Sequence, residues 1–212
     1  MIYVVDDEEP IRDSLAWLLK SRGYPSRAFA SAQAFLDFMA SAGAERRSPG
    51  CVVLDIRMPD MSGIELFEQI RTAGMHETWP VIFLTGHGDV PMAVSSLKSG
   101  AFDFFEKPFN DNSLVDSVAA AMAMSAKHID QSLASSSVQS RLAQLTQRER
   151  EVMALIVEGH YNKVIADRLG IVMRTVEVFR ARIFQKMGVR TAVELVRLLR
   201  DAQGGDDGPS RS

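Results

Sequence analysis

The chain of 212 residues holds one cysteine, Cys51, so it forms no internal disulfide, which suits a reducing compartment. Cys51 heads an apolar run and reads as a buried structural thiol rather than a reactive one. No apolar stretch approaches the roughly 20 residues that cross a bilayer, and the strand-like start "IYVV" has no basic segment before it. No membrane association and no secretory leader are expected; a cytoplasmic protein is. The pattern G-x-x-x-x-G-K-[ST] is missing, which excludes a P-loop ATPase. His76, His87, His128 and His160 lack ligand spacing, so they receive no metal role.

Neither half is balanced in charge. Residues 1–125 carry 10 basic against 17 acidic side chains, a net of −7; residues 126–212 carry 14 against 10, a net of +4. An acidic half followed by a basic one suggests two domains with different partners. The first half alternates strand and helix signals. Strands are expected at residues 2–5, 26–30, 51–54, 81–84 and 102–105. Helices are expected at 9–22, 31–39, 63–73, 89–99 and from Asn110 or Asp111 to at least 126. Continuous apolar strands imply a doubly wound parallel sheet with its site outside the carboxyl ends of the strands.

Those ends carry a distinctive set of residues. The first strand runs into Asp6 and Asp7, the third into Asp55, the fourth into Thr85, and Lys107 follows the fifth. Acids this close repel one another unless a cation sits among them. Mg²⁺, with Mn²⁺ as an alternative, suits such oxygen donors and would also hold phosphoryl oxygens. Asp55 could then attack phosphorus to form an aspartyl phosphate. Its charge would be met by the metal, Lys107 and the Thr85 hydroxyl. Singly, each signal has a plainer explanation, since acids at a helix N-terminus favour the macrodipole; together they are hard to explain otherwise. A phosphatase with an aspartyl nucleophile would need a second acid two residues on, where Arg57 stands.

The second half reads as helices only, at 147–157, 162–169, 174–186 and 191–200. Thr146 with Glu149 forms a capping box, and "LGI" at 169–171 marks a tight break. The inward set is Val152, Leu155, Ile156, Val164, Ile165, Leu169, Val176, Ile183, Met187, Leu195 and Val196. Arginines outside that set suit phosphate contacts, while a four-helix interaction module with a cationic surface remains open on pattern alone. The serine-rich "SLASSSVQS" at 132–140 is either a flexible linker or the frayed end of the helix before it. The expected division is 1–126, a partly helical linker 127–140, 141–203, and a disordered tail 204–212.

"VVDDEEP", "VVLDIRMPDMSG" and "VIFLTGHGDVPMAVSSLKSGAFDFFEKPF" resemble the receiver domain of two-component response regulators. "LTxREREV", "NKxIAxxLGI" and "RTVEV" resemble the LuxR-type helix–turn–helix domain of the NarL/FixJ group. The resemblance implies a flavodoxin-like receiver of strand order 2-1-3-4-5 joined to a small all-α DNA-binding domain. It assigns Asp55 as phospho-acceptor and Asp6, Asp7 and the Arg57 backbone carbonyl, with Asp55, as metal ligands. Thr85 and Lys107 become the phosphate-sensing pair, Phe104 the aromatic switch, and the Lys107–Pro108 bond cis. Glu177, Val178 and Ala181 match base-facing positions, and Lys163, Arg174, Thr175, Arg180 and Lys186 suit the DNA backbone. Implied partners are a sensor histidine kinase, promoter double-stranded DNA, RNA polymerase, and a second copy on phosphorylation, through the face of the fourth helix, fifth strand and fifth helix. No enzymatic activity is implied beyond the receiver's own phosphorylation and dephosphorylation. Three positions depart from the pattern: Tyr161 replaces a small residue, Val172–Met173 replaces Ser-Pro, and Phe179 replaces histidine.

Overall fold

The computed structural model describes residues 1–86, 95 and 97–203. They form two compact units, Met1–Ile129 and Asp130–Ser212. In the first, strands β1 (Ile2–Val5), β2 (Ser26–Phe29), β3 (Cys51–Asp55), β4 (Val81–Thr85) and β5 (Asp103–Glu106) make one sheet of order β2-β1-β3-β4-β5. Every neighbouring pair is parallel. Helices α1 (Glu9–Ser21), α2 (Ala32–Ser41), α3 (Gly63–Thr72) and α4 (Asp111–Ala143) connect or follow the strands, with a 3₁₀ turn at Gly43–Arg47. The sequence-predicted helix at 89–99 falls largely outside the described residues, as does the tail from 204 on.

The period-2 geometry of a strand explains the two cores. Tyr3, Val5, Val52, Leu54, Val81 and Phe83 face one way, onto Phe35, Phe38 and Met39 of α2 and Leu66, Phe67 and Ile70 of α3. Ile2, Val4, Cys51, Val53, Ile82 and Leu84 face the other way, onto Leu15, Leu18 and Leu19 of α1 and Leu114, Val118 and Ala121 of α4. Both faces are covered, so the strands need no polar alternation, and Cys51 is buried as expected. Trp79 sits in the first core, stacked on Phe38, and donates its indole N–H to the Ser48 carbonyl. Sequence reasoning gave that tryptophan no role.

Local chemistry fixes the helix starts. Ser31 accepts from the Ala34 amide, and Ser62 forms a full capping box with Glu65. Asn110 accepts from the Ser113 amide, settling which of the two candidates caps α4. The serine-rich stretch expected as a partly helical linker lies wholly inside α4. Its hydroxyls find carbonyl partners, Ser136 that of Leu133 nearby and Ser135 that of Ala202 far along the chain, while Val138 is buried and Leu142 packs beside it. Apolar anchors at helical spacing thus carry the helix through the serines.

In the second unit, α5 (Gln147–Val157), α6 (Asn162–Leu169), α7 (Met173–Met187) and α8 (Ala192–Gln203) enclose a core of Val152, Ile156, Ile165, Val176, Ile183, Met187 and Leu195. Val164, expected inside, is exposed, because Ile165 and Ala166 supply the inward face of so short a helix. Gly170 and Gly188 end α6 and α7 at φ 64° and 68°, the left-handed conformation that lets each chain turn sharply into the next element.

Candidate functional site: an acid pair sharing one lysine

The carboxyl ends of β1 and β3 are adjacent, so Asp6 and Asp55 meet at the edge of the sheet. Both are buried, Asp6 completely. The Lys107 ammonium bridges them, 2.5 Å from Asp55 Oδ1 and 2.9 Å from Asp6 Oδ2. Their other oxygens are held by backbone amides: Arg57 N donates to Asp55 Oδ2 at 2.7 Å and Glu8 N to Asp6 Oδ1 at 2.8 Å. Each carboxylate is therefore oriented by two donors, and their mutual repulsion is relieved by one shared cation.

The electrostatics follow from this geometry. Burial pushes the Asp55 acid up from its ordinary value, with hydrogen bonding and charge from Lys107 opposing it and Asp6 reinforcing it. Burial works to lower the lysine, but the hydrogen bonds and charges of Asp55 and Asp6 outweigh it and hold Lys107 above the usual lysine range. The Lys107 amide donates to the Thr85 carbonyl at the end of β4, which holds the residue at this edge of the sheet; its bond to Pro108 is cis.

Backbone packing pins Asp55 further. The Gly63 amide donates to the Ile56 carbonyl at 2.9 Å, closing the turn that contains Pro59 and Asp60, where Asp60 has φ 66°. A Cβ on Gly63 would lie 2.0 Å from the Asp55 carbonyl oxygen. Only glycine permits this approach. This direct contact of Gly63 with the acid's own backbone had no sequence signal.

Three expected site residues stand differently. The Asp7 side chain is exposed, and among the described residues no three acidic or other ligating side chains group around a common point. Asp6 and Asp55 thus meet around Lys107, while Asp7, next along the chain, keeps its side chain toward solvent. The Thr85 side chain is buried, but its hydroxyl donates to the Gly86 carbonyl at 3.1 Å. Phe104 is half-buried against the core face that holds Phe83, its partner in the β4–β5 register. A metal still fits the donor set. Mg²⁺ is commonly held by one or two carboxylates, completed by waters and phosphate oxygens, and Asp6 and Asp55 are hard oxygen donors already sharing a cation.

On α7, Arg174, Glu177, Val178, Ala181 and Arg182 are exposed at spacings of three and four, which places them on one face. Lys163 is exposed on α6, and Thr175 is half-buried. Arg180 lies over the Phe184 ring at 5.3 Å, and Phe179 packs into the core. Neither Tyr161 nor Val172 caps its helix with a side chain. Lys186, expected at the DNA backbone, is instead committed inward. Its ammonium lies 2.6 Å from Glu149 Oε2 and 3.1 Å from the Gln144 carbonyl. Glu149 is buried and needs a cation, and its acid is held below the ordinary range by Lys186 and then by the Thr146 amide. Arg141 adds a bond to the Met187 carbonyl at the end of the same helix.

Comparison with known proteins agrees with both halves. The family described as response regulator receiver domain matches residues 2–119, and the luxR family of bacterial regulatory proteins matches residues 143–199. The C4-dicarboxylate transport transcriptional regulatory protein DctR of Rhodobacter capsulatus is 48% identical over 197 residues, covering 93% of this chain and 98% of that protein. The transcriptional regulatory protein FixJ of Azorhizobium caulinodans is 46% identical, covering 93% and 90%. Among solved structures, the response regulator StyR superposes with a TM-score of 0.84 at 38% identity, covering 94% of this chain and 97% of that one. Full-length FixJ from B. japonicum gives 0.57 at 41% identity, covering 96% and 97%. The chain therefore belongs to the response-regulator family, as a transcriptional regulator with a receiver domain followed by a luxR-type DNA-binding domain.

Proposed function

We propose that Asp55 is the phospho-acceptor of this regulator and that its phosphorylation governs binding of the α7 face to promoter DNA. The observation that carries the reading is the Lys107 bridge between two buried acids at the carboxyl ends of β1 and β3. In the transfer, Asp55 Oδ1 attacks the phosphorus of a phosphohistidine on the sensor kinase. The P–O bond forms as the P–N bond breaks, and the imidazole leaves. Hydrogen bonding at Asp55 Oδ2 from the Arg57 amide leaves the other oxygen aimed at Lys107 and at the incoming group. This is positioning rather than acid–base chemistry. Lys107 can then pair with a phosphoryl oxygen, and the Thr85 hydroxyl needs only to leave the Gly86 carbonyl to reach another.

Asp6, Asp55 and the Arg57 carbonyl, with Asp7 completing the set, would hold Mg²⁺ or Mn²⁺, which supplies charge neutralisation at a phosphoryl oxygen. No further enzymatic activity is proposed. Phe104, the strand partner of Phe83, follows the threonine in this reading and changes the face of β5. Phosphorylation thus acts as a local charge change biasing a two-state element.

The second unit meets DNA with the exposed face of α7. Glu177, Val178 and Ala181 face base edges in the major groove, with Arg174, Arg182 and Lys163 toward phosphates. Pairing two copies presents two recognition helices to two half-sites, and RNA polymerase is the onward partner in the cytoplasm. No helix among the described residues is long and apolar enough to cross a membrane. The test is sedimentation and DNA footprinting with and without a small phosphodonor and Mg²⁺. The wild type should dimerise and protect its promoter only with donor. Asp55→Asn should do neither; an Asp55→Asn protein that responds to the donor contradicts the reading.

A further inference from the structure

Arg12 lies one turn inside α1 and does not belong to the acid pair, yet it is bonded to the backbone that carries it. Its Nη1 donates to two consecutive carbonyls, Asp6 O at 2.8 Å and Asp7 O at 2.7 Å. The carbonyls lie in the turn between β1 and α1, outside the sheet ladder and the helix, where backbone acceptors must find other partners. The Asp6 side chain bonds the Glu8 amide in the same turn, and the Asp6 amide bonds the Phe29 carbonyl. With Lys107 on its carboxylate, four attachments therefore fix residue 6, whereas among the described residues the bond from Arg12 is the one that holds the carbonyl of residue 7, whose side chain is exposed.

We infer that Arg12 is a positioning residue for cation binding: by clamping the Asp6 and Asp7 carbonyls it fixes the peptide plane between them, and so the direction in which the Asp7 carboxylate is offered to a divalent ion. The inference rests on the proposed metal set. Two bonds from one nitrogen set the rotation of successive carbonyls, and a carbonyl's rotation sets the Cα–Cβ vector beside it. Without the clamp Asp6 stays in place through its own bonds, but the exposed Asp7 samples many directions and must be ordered by the ion.

The sign of the effect separates this role from a simple charge effect. A guanidinium close to the acids opposes cation binding by Coulomb repulsion, so removing its charge alone would strengthen binding. Loss of positioning weakens it. Outer partners that orient metal ligands typically matter by roughly 10–100-fold in affinity. Asp7 is one ligand of the set, so the low end of that range is expected.

The experiment is calorimetric titration of the full chain with MgCl₂, without phosphodonor, for wild type, Arg12→Met and Arg12→Lys, with a thermal melt of each. Arg12→Met should bind Mg²⁺ about tenfold more weakly, and Arg12→Lys, which keeps the charge and can reach one carbonyl, should fall between. Unchanged or tighter binding by a folded Arg12→Met overturns the inference. If Arg12→Met does not fold, Arg12→Lys decides: wild-type affinity in that variant overturns it and a several-fold loss supports it. A wild type that binds no Mg²⁺ would sink the metal reading itself, an outcome distinct from equal binding by wild type and variants.

Discussion

Replacing Gly63 by alanine should be far more damaging than replacing Gly86, though both glycines flank the acid site. At Gly63 an added Cβ would stand 2.0 Å from the Asp55 carbonyl oxygen, 3.0 Å from its carbon and 3.1 Å from the Ile56 Cα, all backbone atoms. Ordinary contact begins near 3.4 Å, so the methyl overlaps the oxygen by about 1.4 Å, and no side chain can swing aside to relieve it. The turn must open, at the expense of the Gly63–Ile56 hydrogen bond. Overpacking costs typically 1–3 kcal/mol, and a rigid backbone neighbour puts Gly63→Ala at the top of that range, about 3 kcal/mol. For a unit of this size that is a drop of roughly 10 °C in melting temperature. Among the described residues a Cβ on Gly86 would meet nothing within 4 Å, so Gly86→Ala should stay within about 0.5 kcal/mol of wild type. Urea unfolding followed by circular dichroism, with thermal melts as a check, reads both variants. Equal stabilities would refute the close approach of Gly63 to the acid's backbone.

Lys107→Met leaves two buried carboxylates without their shared cation. Breaking such a pair is costly, about 3 kcal/mol at neutral pH, and the loss should shrink as pH falls and Asp55, whose acid burial already pushes up, takes a proton; urea midpoints that do not move with pH would contradict this. Glu149 has its acid lowered in the folded state, so its pair with Lys186 stabilises above the ordinary value of 4.5 and is lost as pH falls through the lower folded value. Acid unfolding of the second unit should therefore move to higher pH in Lys186→Met, as followed by tryptophan-independent far-UV circular dichroism. Arg174→Ala should weaken binding to all DNA sequences alike and reduce the salt slope by about one, whereas Val178→Ala should act only on the cognate site; fluorescence anisotropy at several salt concentrations distinguishes them.

The acid edge was legible because apolar runs such as "VVL" end abruptly in Asp55, and a parallel sheet brings the ends of neighbouring strands together. Helix starts were legible where Ser31 and Thr146 offered oxygen caps; the capping box of Ser62 with Glu65 came from the structure. Side-chain partnerships were not. Nothing in the order of residues says that Lys107 would stand between Asp6 and Asp55 with Asp7 left outside, since that depends on which atoms reach a common point in three dimensions. Lys186 illustrates the same limit. A lysine near the end of an exposed helix reads as a phosphate contact, and only the buried Glu149 opposite shows that its charge is used inside. The serine-rich run left a flexible linker and the end of the preceding helix both open because composition argues for flexibility, while Val138 and Leu142 supply enough burial to keep the segment helical.

The most direct test of the central claim is where phosphate goes. Incubation with acetyl phosphate and Mg²⁺, followed by intact mass and borohydride trapping of acyl phosphate for peptide mapping, should show one phosphoryl group per chain, located at Asp55 and absent from Asp55→Asn. A phosphoryl group mapped to another residue, or a wild type that takes up none under these conditions, would contradict the account.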